Sequence, residues 1–330
     1  MSNVCAVTVT YGDRYVRLTA ETIKRALAAG VSHVVVVDNG STHGLDRVML
    51  QQFAGDGRVS FLHLGENLGS AVGFARGIQA AAATHPNYIW LLDDDNWVDP
   101  EALTLLLSTR AAAAGHFRDP LVAVSGFRDL DSDHLRIGEG RPASVVFPPV
   151  GAFLSFDVIH YLRRRLPIRY PTLKWEDLCL PNAPYGGLLF PVELIEEVGL
   201  PPAEYFLYAD DTVWTSRITA SGHKILLDRS VTIHDADSKW SRESGGGPRG
   251  LIASRDTRRL YYSVRNRVHY ERSLLKRPTQ VLRYHINKLV YLVIASTSRF
   301  DGNRNNLRVF TDAIEDGRRL VVTSVGEVGE

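Results

Sequence analysis

The chain has 330 residues, 45% of them hydrophobic and 23% charged, with a formal net charge of +1. That length buries a sizeable core, and the balance excludes both a disordered chain and a globally basic nucleic-acid binder. The two cysteines, Cys5 and Cys179, sit in no metal or redox spacing, which excludes a disulfide framework and fits a reducing cytoplasm.

The sequence runs directly into an apolar stretch, Val4-Cys5-Ala6-Val7-Thr8-Val9-Thr10, with no secretory signal before it. This reads as a strand. Residues 15–29 follow as a helix closed by Gly30. Val34-Val35-Val36-Val37 is a second strand, stopped by Asp38-Asn39-Gly40-Ser41. A short helix over 45–53 leads to a third strand at 59–63. An Ala-rich helix over 69–83 and a fourth strand at 88–92 complete a β-α-β-α-β-α-β order. That order predicts an α/β fold with a doubly wound, mostly parallel sheet and right-handed crossovers. Ligands of such sheets sit at the carboxyl ends of the strands. Three of these ends carry polar clusters: Thr10-Tyr11-Gly12-Asp13, Asp38-Asn39-Gly40-Ser41 and Asp93-Asp94-Asp95. The three clusters are therefore expected to meet in space.

The end of the fourth strand is the most informative. Five large apolar residues, Tyr88-Ile89-Trp90-Leu91-Leu92, read as a strand covered on both faces. Three carboxylates then arrive with no basic residue among them. Their mutual repulsion calls for a cation, and Mg²⁺ or Mn²⁺ prefers oxygen ligands. Alternation along an extended segment lets Asp93 and Asp95 face one way and Asp94 the other. Such a clamp suits a metal held against a diphosphate. The plainer alternative is an exposed acidic turn before the helix that Pro100 begins.

At the second strand end, the Asp38 carboxylate can accept from a pyrimidine N3–H, and the amides after it can bind ribose or phosphate. A plain strand-to-helix turn is the alternative. Residues 65–77 start a helix with small residues, which allow close approach to a ligand or to the sheet. Arg76 is placed there to point at a phosphate. The stretch matches neither a Walker loop nor a dinucleotide fingerprint.

Residues 101–114 read as a helix, and 121–160 as strands and turns. A turn-rich segment over 181–191 contains Tyr185-Gly186-Gly187, and a short helix over 194–198 ends at Gly199. Tyr208-Ala209-Asp210-Asp211 then leads into a helix reaching residue 220. Two short strands, 225–227 and 231–233, precede His234-Asp235-Ala236-Asp237, where His234 is a candidate metal ligand. Residues 241–250 read as a flexible loop. Residues 251–298 read as two helices broken at Pro278. The stretch 251–299 holds eleven Lys or Arg against two acidic residues. Basic amphipathic helices with Tyr suit an anionic membrane surface, with packing on the rest of the chain or a homo-oligomer contact as the alternative. The longest apolar run, 289–295, falls short of the roughly 20 residues that span a bilayer.

Taken together and in order, Val9-Thr10-Tyr11, Val37-Asp38-Asn39-Gly40-Ser41, Glu66-Asn67-Leu68-Gly69, Leu92-Asp93-Asp94-Asp95, Tyr185-Gly186-Gly187, Phe206-Leu207-Tyr208-Ala209-Asp210-Asp211 and Ile233-His234 resemble the inverting family 2 glycosyltransferases with a GT-A fold. The resemblance covers roughly residues 4–240. Asn67-Leu68-Gly69 followed by Gly73-Phe74-Ala75, and the triple-aspartate form of the metal motif, look most like the rhamnosyl- and galactofuranosyltransferase branch. The resemblance implies a GT-A-like catalytic domain over 1–245, with a nucleotide-sugar half (about 1–115) and an acceptor half (about 116–245). A basic helical C-terminal extension over 246–330 follows.

The resemblance also implies roles. Asp38 would hold the nucleotide base, and Thr10, Tyr11, Asn39 and Asn67 would line the nucleotide pocket, with Arg76 and Asp94 beside the donor. Asp93, Asp95 and His234 would bind Mn²⁺ or Mg²⁺. Asp211 would be the general base with Asp210 beside it. Tyr185, Gly186, Gly187 and Trp240 would line the sugar or acceptor site. Val213 stands where the family often has another acidic residue, so the choice between Asp210 and Asp211 stays open. The implied donor is a UDP- or dTDP-sugar. The implied acceptor is a growing or polyprenyl-diphosphate-linked glycan at the cytoplasmic face of the inner membrane. A sugar nucleotidyltransferase is the competing enzyme class. It calls for a Gly-rich basic loop where this chain has Thr10-Tyr11-Gly12-Asp13-Arg14. A non-catalytic nucleotide- or carbohydrate-binding scaffold is disfavoured by the intact carboxylates.

Overall fold

The structure is a computed structural model that describes residues 3–12, 16–41, 52–53, 55–165, 168, 170, 172–237, 256–297 and 304–322. Trp240 and the loop 241–250 lie outside the described residues, as does nearly all of the helix expected over 45–53.

The first part of the chain runs β1 (Val4–Thr10), α1 (Val16–Ala28), β2 (His33–Asp38), β3 (Val59–His63), α2 (Gly69–Ala82), β4 (Tyr88–Asp93), β5 (Asn96–Trp97) and α3 (Ala102–Phe117). Strand β1 pairs in parallel with both β2 and β4, and β2 with β3, as the element order predicts. These strands are apolar on both faces because helices cover both. Val7, Val36, Val37, Ile89, Trp90 and Leu91 are all fully buried. Each such side chain stabilises the fold by about 1.5–3 kcal/mol. Helix α2 lies hard against β1: a Cβ at Gly73 would sit 2.6 Å from Val9 Cγ1, and one at Gly77 2.5 Å from Val7 Cγ1. The small residues of α2 thus serve helix–sheet packing.

The chain continues with β6 (Ala123–Arg128), α4 (Ser132–Gly138), α5 (Ala143–Val146), α6 (Val158–Arg163), β7 (Cys179–Leu180), β8 (Leu188–Pro191), α7 (Leu194–Val198), α8 (Asp210–Ala220) and β9 (Ile225–Asp235). Of the strands expected over 121–160, only β6 forms. Helices α4 and α6 displace the rest, each opened by an aspartate cap. Asp131 accepts from His134 N at 2.9 Å and Asp157 from His160 N at 2.8 Å. The two strands expected at 225–233 are one strand, β9, with a register shift opposite Gly126 and Phe127. The sheet order is β3-β2-β1-β4-β8-β6-β9-β5.

Three helices close the chain: α9 (Thr257–Ser273), α10 (Pro278–Thr297) and α11 (Arg304–Arg319). Pro278 opens α10, where its missing N–H leaves no helical bond unmade. Helix α11 has no counterpart in the sequence reading. Leu260, Val264 and Val268 of α9 pack with Tyr284, Tyr291 and Phe310 around Phe153 and Phe156, so this extension shares a core with the body of the protein. Leu282, Ile286, Leu289 and Val293 form an exposed stripe along α10. Among the described residues, no helix is long and apolar enough to cross a membrane.

Candidate active site

The strand register brings the polar ends together. Thr10 pairs with Asp38 on one side of β1, and Val9 with Asp93 on the other. Asp94 turns aside, taking the Thr10 hydroxyl at 2.8 Å, while Thr22 donates to its carbonyl at 3.0 Å. Asp93 and Asp95 instead join Asp235, with one carboxylate oxygen from each lying within 4.8 Å of the others. Asn96 pairs with Asp235, and Trp97 with His234, between β5 and β9. Strand alternation therefore sends Asp235 into the cluster and His234 away from it. The His234 Nδ1 lies 2.8 Å from Asp129 Oδ2. Asp235 thus stands where His234 was expected.

Arg128, at the end of β6, sits against this trio. It lies 2.9 Å from Asp93 Oδ2, and its Nη2 and Nε donate to Asp235 at 2.5 and 3.2 Å. Burial works against the Arg128 charge, but Asp93 and Asp235 outweigh it and hold the guanidinium protonated. Burial, reinforced by Asp93 and Asp235, pushes Asp95 up to about 6, and burial also raises Asp235. Three partly buried carboxylates facing one guanidinium remain short of positive charge. An oxygen-only donor set of this kind fits a hard divalent ion such as Mg²⁺ or Mn²⁺.

The trio opens into a cavity of about 920 Å³, also lined by Tyr11, Asn39, Asn67 and Asp211. Asn39 accepts from Leu68 N at 2.9 Å and donates to Gly69 O at 3.0 Å, and Asn67 accepts from Gly69 N at 2.9 Å. Thr10 and Asp38 lie beneath the lining rather than on it. Asp38 accepts from Ser41 N and Oγ, at 2.9 and 2.7 Å, and meets His63 at 3.2 Å. Arg76 is exposed and bonded to Gln79 at 3.4 Å. It does not line the cavity.

Tyr185, Gly186 and Gly187 close the site from behind instead of lining it. The Tyr185 ring packs 4.2 Å from Phe74, and its buried hydroxyl lies beside Asp210 without a hydrogen bond of ordinary geometry. A Cβ at Gly186 would lie 2.6 Å from Asp93 Oδ2 and 2.9 Å from Arg128 Nη1, and would also meet Asn96 Oδ1. Gly187, at φ 92°, donates to Leu91 O at 2.8 Å.

Helix α8 starts at the second acidic pair. Asp210 is buried and takes the Ser70 hydroxyl at 2.8 Å, and burial together with Asp211 pushes it up to about 7. Asp211 accepts from Thr212 N at 2.5 Å and is raised by burial. Asp211 also lines a second cavity, of about 970 Å³. Leu154, Pro184 and Arg267 border both cavities with it. Arg136, Arg141, Arg164 and Arg165 line the second cavity together with Asp131, Asp133, Glu139 and Glu271, and Arg136 pairs with Asp133 at 3.0 Å. Asp211 therefore stands where the two cavities meet, whereas Asp210 lines neither.

Comparison with known proteins agrees with this arrangement. Residues 5–119 match the sequence profile of Glycosyl transferase family 2. Galactofuranosyltransferase GlfT1 of Mycolicibacterium smegmatis is 27% identical over 224 residues, a match spanning 66% of each chain, so this chain covers just under two thirds of that relative. The mannosyltransferase PcManGT of Pyrobaculum calidifontis, solved with GDP-Man and Mn²⁺, superposes with a TM-score of 0.52 at 17% identity, over 97% of this chain and 76% of that one. TarS 1–349 of S. aureus, solved with UDP-GlcNAc, gives 0.50 at 11% identity, over 96% and 80%. At these identities the structural likeness is one of fold. Residues 5–119 thus carry the family 2 glycosyltransferase profile, within a chain whose fold is GT-A-like.

Proposed function

We propose that the chain is a metal-dependent, inverting glycosyltransferase. It takes a galactofuranosyl or rhamnosyl unit from a UDP- or dTDP-linked donor and passes it to a growing cell-envelope glycan. One observation carries this reading: a single cavity holds the Asp93–Asp95–Asp235 trio and Asp211, and Asp211 also opens onto a second cavity. The similarity to a galactofuranosyltransferase favours galactofuranose.

In this reading Tyr11, Asn39 and Asn67 contact the nucleotide, and Thr10 and Asp38 brace them from beneath. Asp93, Asp95 and Asp235 would hold Mn²⁺ or Mg²⁺, which when bound stabilises negative charge on the departing diphosphate. Arg128 holds the trio in place and adds positive charge on the same side. Asp211 takes the proton of the acceptor hydroxyl as that oxygen attacks the anomeric carbon. The bond to the diphosphate oxygen breaks as the new C–O bond forms. One displacement with no covalent sugar–enzyme intermediate inverts the anomeric centre. Burial, which raises Asp211, makes it a better proton acceptor once ionised.

The second cavity takes the acceptor. The arginines on its lining suit a phosphate-bearing one, such as a polyprenyl-diphosphate-linked glycan. The exposed stripe of α10 follows exposed Arg272, Lys276 and Arg277, a combination suited to peripheral contact with an anionic membrane at its cytoplasmic face. Helix α9 does not share that role, because Leu260, Val264 and Val268 are buried.

The test is nucleotide release from UDP-, dTDP- and GDP-sugars, with and without Mn²⁺ or Mg²⁺, by wild type and Asp95→Ala. Metal-dependent release of one nucleotide, lost in the variant, is expected. Release that is indifferent both to metal and to Asp95 overturns the reading.

A further inference from the structure

The segment before the acidic pair has a backbone that its sequence does not favour. Phe206, Tyr208 and Ala209 have φ of 59°, 65° and 59°. That left-handed region is costly for residues with a Cβ, least so for Asn and Asp, and none of these three is either. Residues held this way persist only where their surroundings over-determine them.

The surroundings here come from the C-terminal extension. Asn266 of α9 is fully buried. Its Nδ2 donates to the carbonyls of Tyr205, Leu207 and Tyr208 at 2.8, 2.8 and 2.7 Å. Arg265 Nε donates to Asn266 Oδ1 at 2.8 Å, which fixes the amide's orientation. From the other side, Ala71 N donates to Phe206 O at 3.2 Å, and Gly69 leaves room for that carbonyl because it has no Cβ. Tyr262 of α9 stacks on Phe206 at 5.0 Å. Ala209 is the cap of α8, so the course of this segment sets where Asp210 and Asp211 leave the backbone.

We infer that Asn266 is a positioning residue. By clamping three carbonyls of the left-handed segment, it sets the Asp211 carboxylate against the donor cavity. The inference rests on the reading of Asp211 as the base. A second contact of α9 works in the same sense. Glu271 accepts from Leu154 N and Ser155 N, both at 2.7 Å, and these two residues also have positive φ, 50° and 61°. Leu154 borders both cavities. Helix α9 thus pins two left-handed segments that border the cavities Asp211 joins.

The test compares Asn266→Ala, Asn266→Ser, Asn266→Ala with Ala209→Gly, and Asp211→Asn in full-length protein. It reads nucleotide release from whichever sugar of the panel supports turnover, and Mn²⁺ binding by calorimetry. In Asn266→Ala, kcat is expected to fall roughly 10- to 100-fold, with donor KM and Mn²⁺ affinity unchanged. Asn266→Ser, which keeps one donor, falls less and serves as the readout should the alanine variant fail to fold. Ala209→Gly in the Asn266→Ala background recovers most of the lost kcat, because glycine takes a positive φ freely. A purely packing role predicts no such rescue. Wild-type kcat in both Asn266 variants, or a loss that the glycine does not repair, overturns the clamp. If Asp211→Asn itself turns over like wild type, the base assignment fails, whatever Asn266 does.

Discussion

Arg128 grips Asp235 with two hydrogen bonds, Nη2 to Oδ1 at 2.5 Å and Nε to Oδ2 at 3.2 Å, and its Nη1 lies 2.9 Å from Asp93. One guanidinium thereby ties the end of β4 to the end of β9. Ionised, the three carboxylates and this arginine leave two negative charges, the complement of one divalent ion.

This arrangement separates two candidate third ligands. Asp235→Asn is expected to lower Mn²⁺ affinity at least tenfold, while His234→Ala, whose ring faces Asp129, leaves it within about twofold. Isothermal titration calorimetry on the two variants decides between them. The reverse pattern would restore histidine to the metal site.

Gly186 is the position where the smallest change should disturb the trio. An added methyl meets Asp93 Oδ2, Arg128 Nη1 and Asn96 Oδ1 at once. Asn96 cannot yield easily, being fully buried while it accepts from Asp93 N at 2.9 Å and donates to Asp235 at 2.8 Å. Gly186→Ala is expected to destabilise by about 1–3 kcal/mol and to weaken Mn²⁺ binding in parallel. Thermal melts with and without Mn²⁺ would show a smaller metal-induced shift than in wild type. An unchanged shift would mean that the trio accommodates the methyl.

The legible parts of this molecule are those where residue type and location coincide. The apolar runs that became β1, β2 and β4 cannot be exposed, so their parallel pairing and the meeting of their polar ends could be read directly. All three aspartates of the acidic run line the cavity. The split between Asp94, bonded to Thr10, and the Asp93–Asp95 pair matches the expected alternation, although Asp94 and Asp95 lie in a turn past the end of β4. The same alternation carried the signal for Asp235 over His234, but it could be used only once β5 and β9 were known to pair. Arg76, three residues after buried Gly73, reads toward the ligand side in the sequence, but its side chain is exposed and bonded to Gln79. Arg128 left no mark, being one arginine among many at a strand end. The left-handed backbone at Phe206, Tyr208 and Ala209 was illegible in principle, since those residue types point away from it and the cause lies 60 residues downstream in Asn266.

The exposed stripe on α10 gives a prediction about location. Leu282, Ile286, Leu289 and Val293 recur at spacings that put them on one face. If this face contacts lipid, wild type co-sediments with vesicles containing anionic lipid, more weakly as salt rises. Leu282→Glu with Leu289→Glu then loses binding by at least tenfold while nucleotide release on a soluble acceptor is retained. Equal vesicle binding by the double variant would remove α10 from the membrane contact.

The carboxylate pair at the start of α8 sets a pH dependence with a definite sign. Burial and the neighbouring Asp211 raise Asp210 to about 7 from an ordinary 3.8, and burial raises Asp211 as well. Asp211 accepts a proton only when ionised. Turnover is therefore lost as pH falls through the raised titration of Asp211, giving an acid limb above the ordinary carboxylate range. Asp210→Asn removes one of two like charges, which makes Asp211 easier to ionise, so the limb moves to lower pH. Stability runs the other way. The folded protein keeps a proton on Asp210 that the unfolded chain releases near 3.8, so stability falls as pH rises from about 4 to about 7, and Asp210→Asn flattens that slope. Rate profiles and melting temperatures across pH 4–8 for both proteins check the two signs together. A limb that stays in place in Asp210→Asn would show that Asp211 titrates independently of its neighbour.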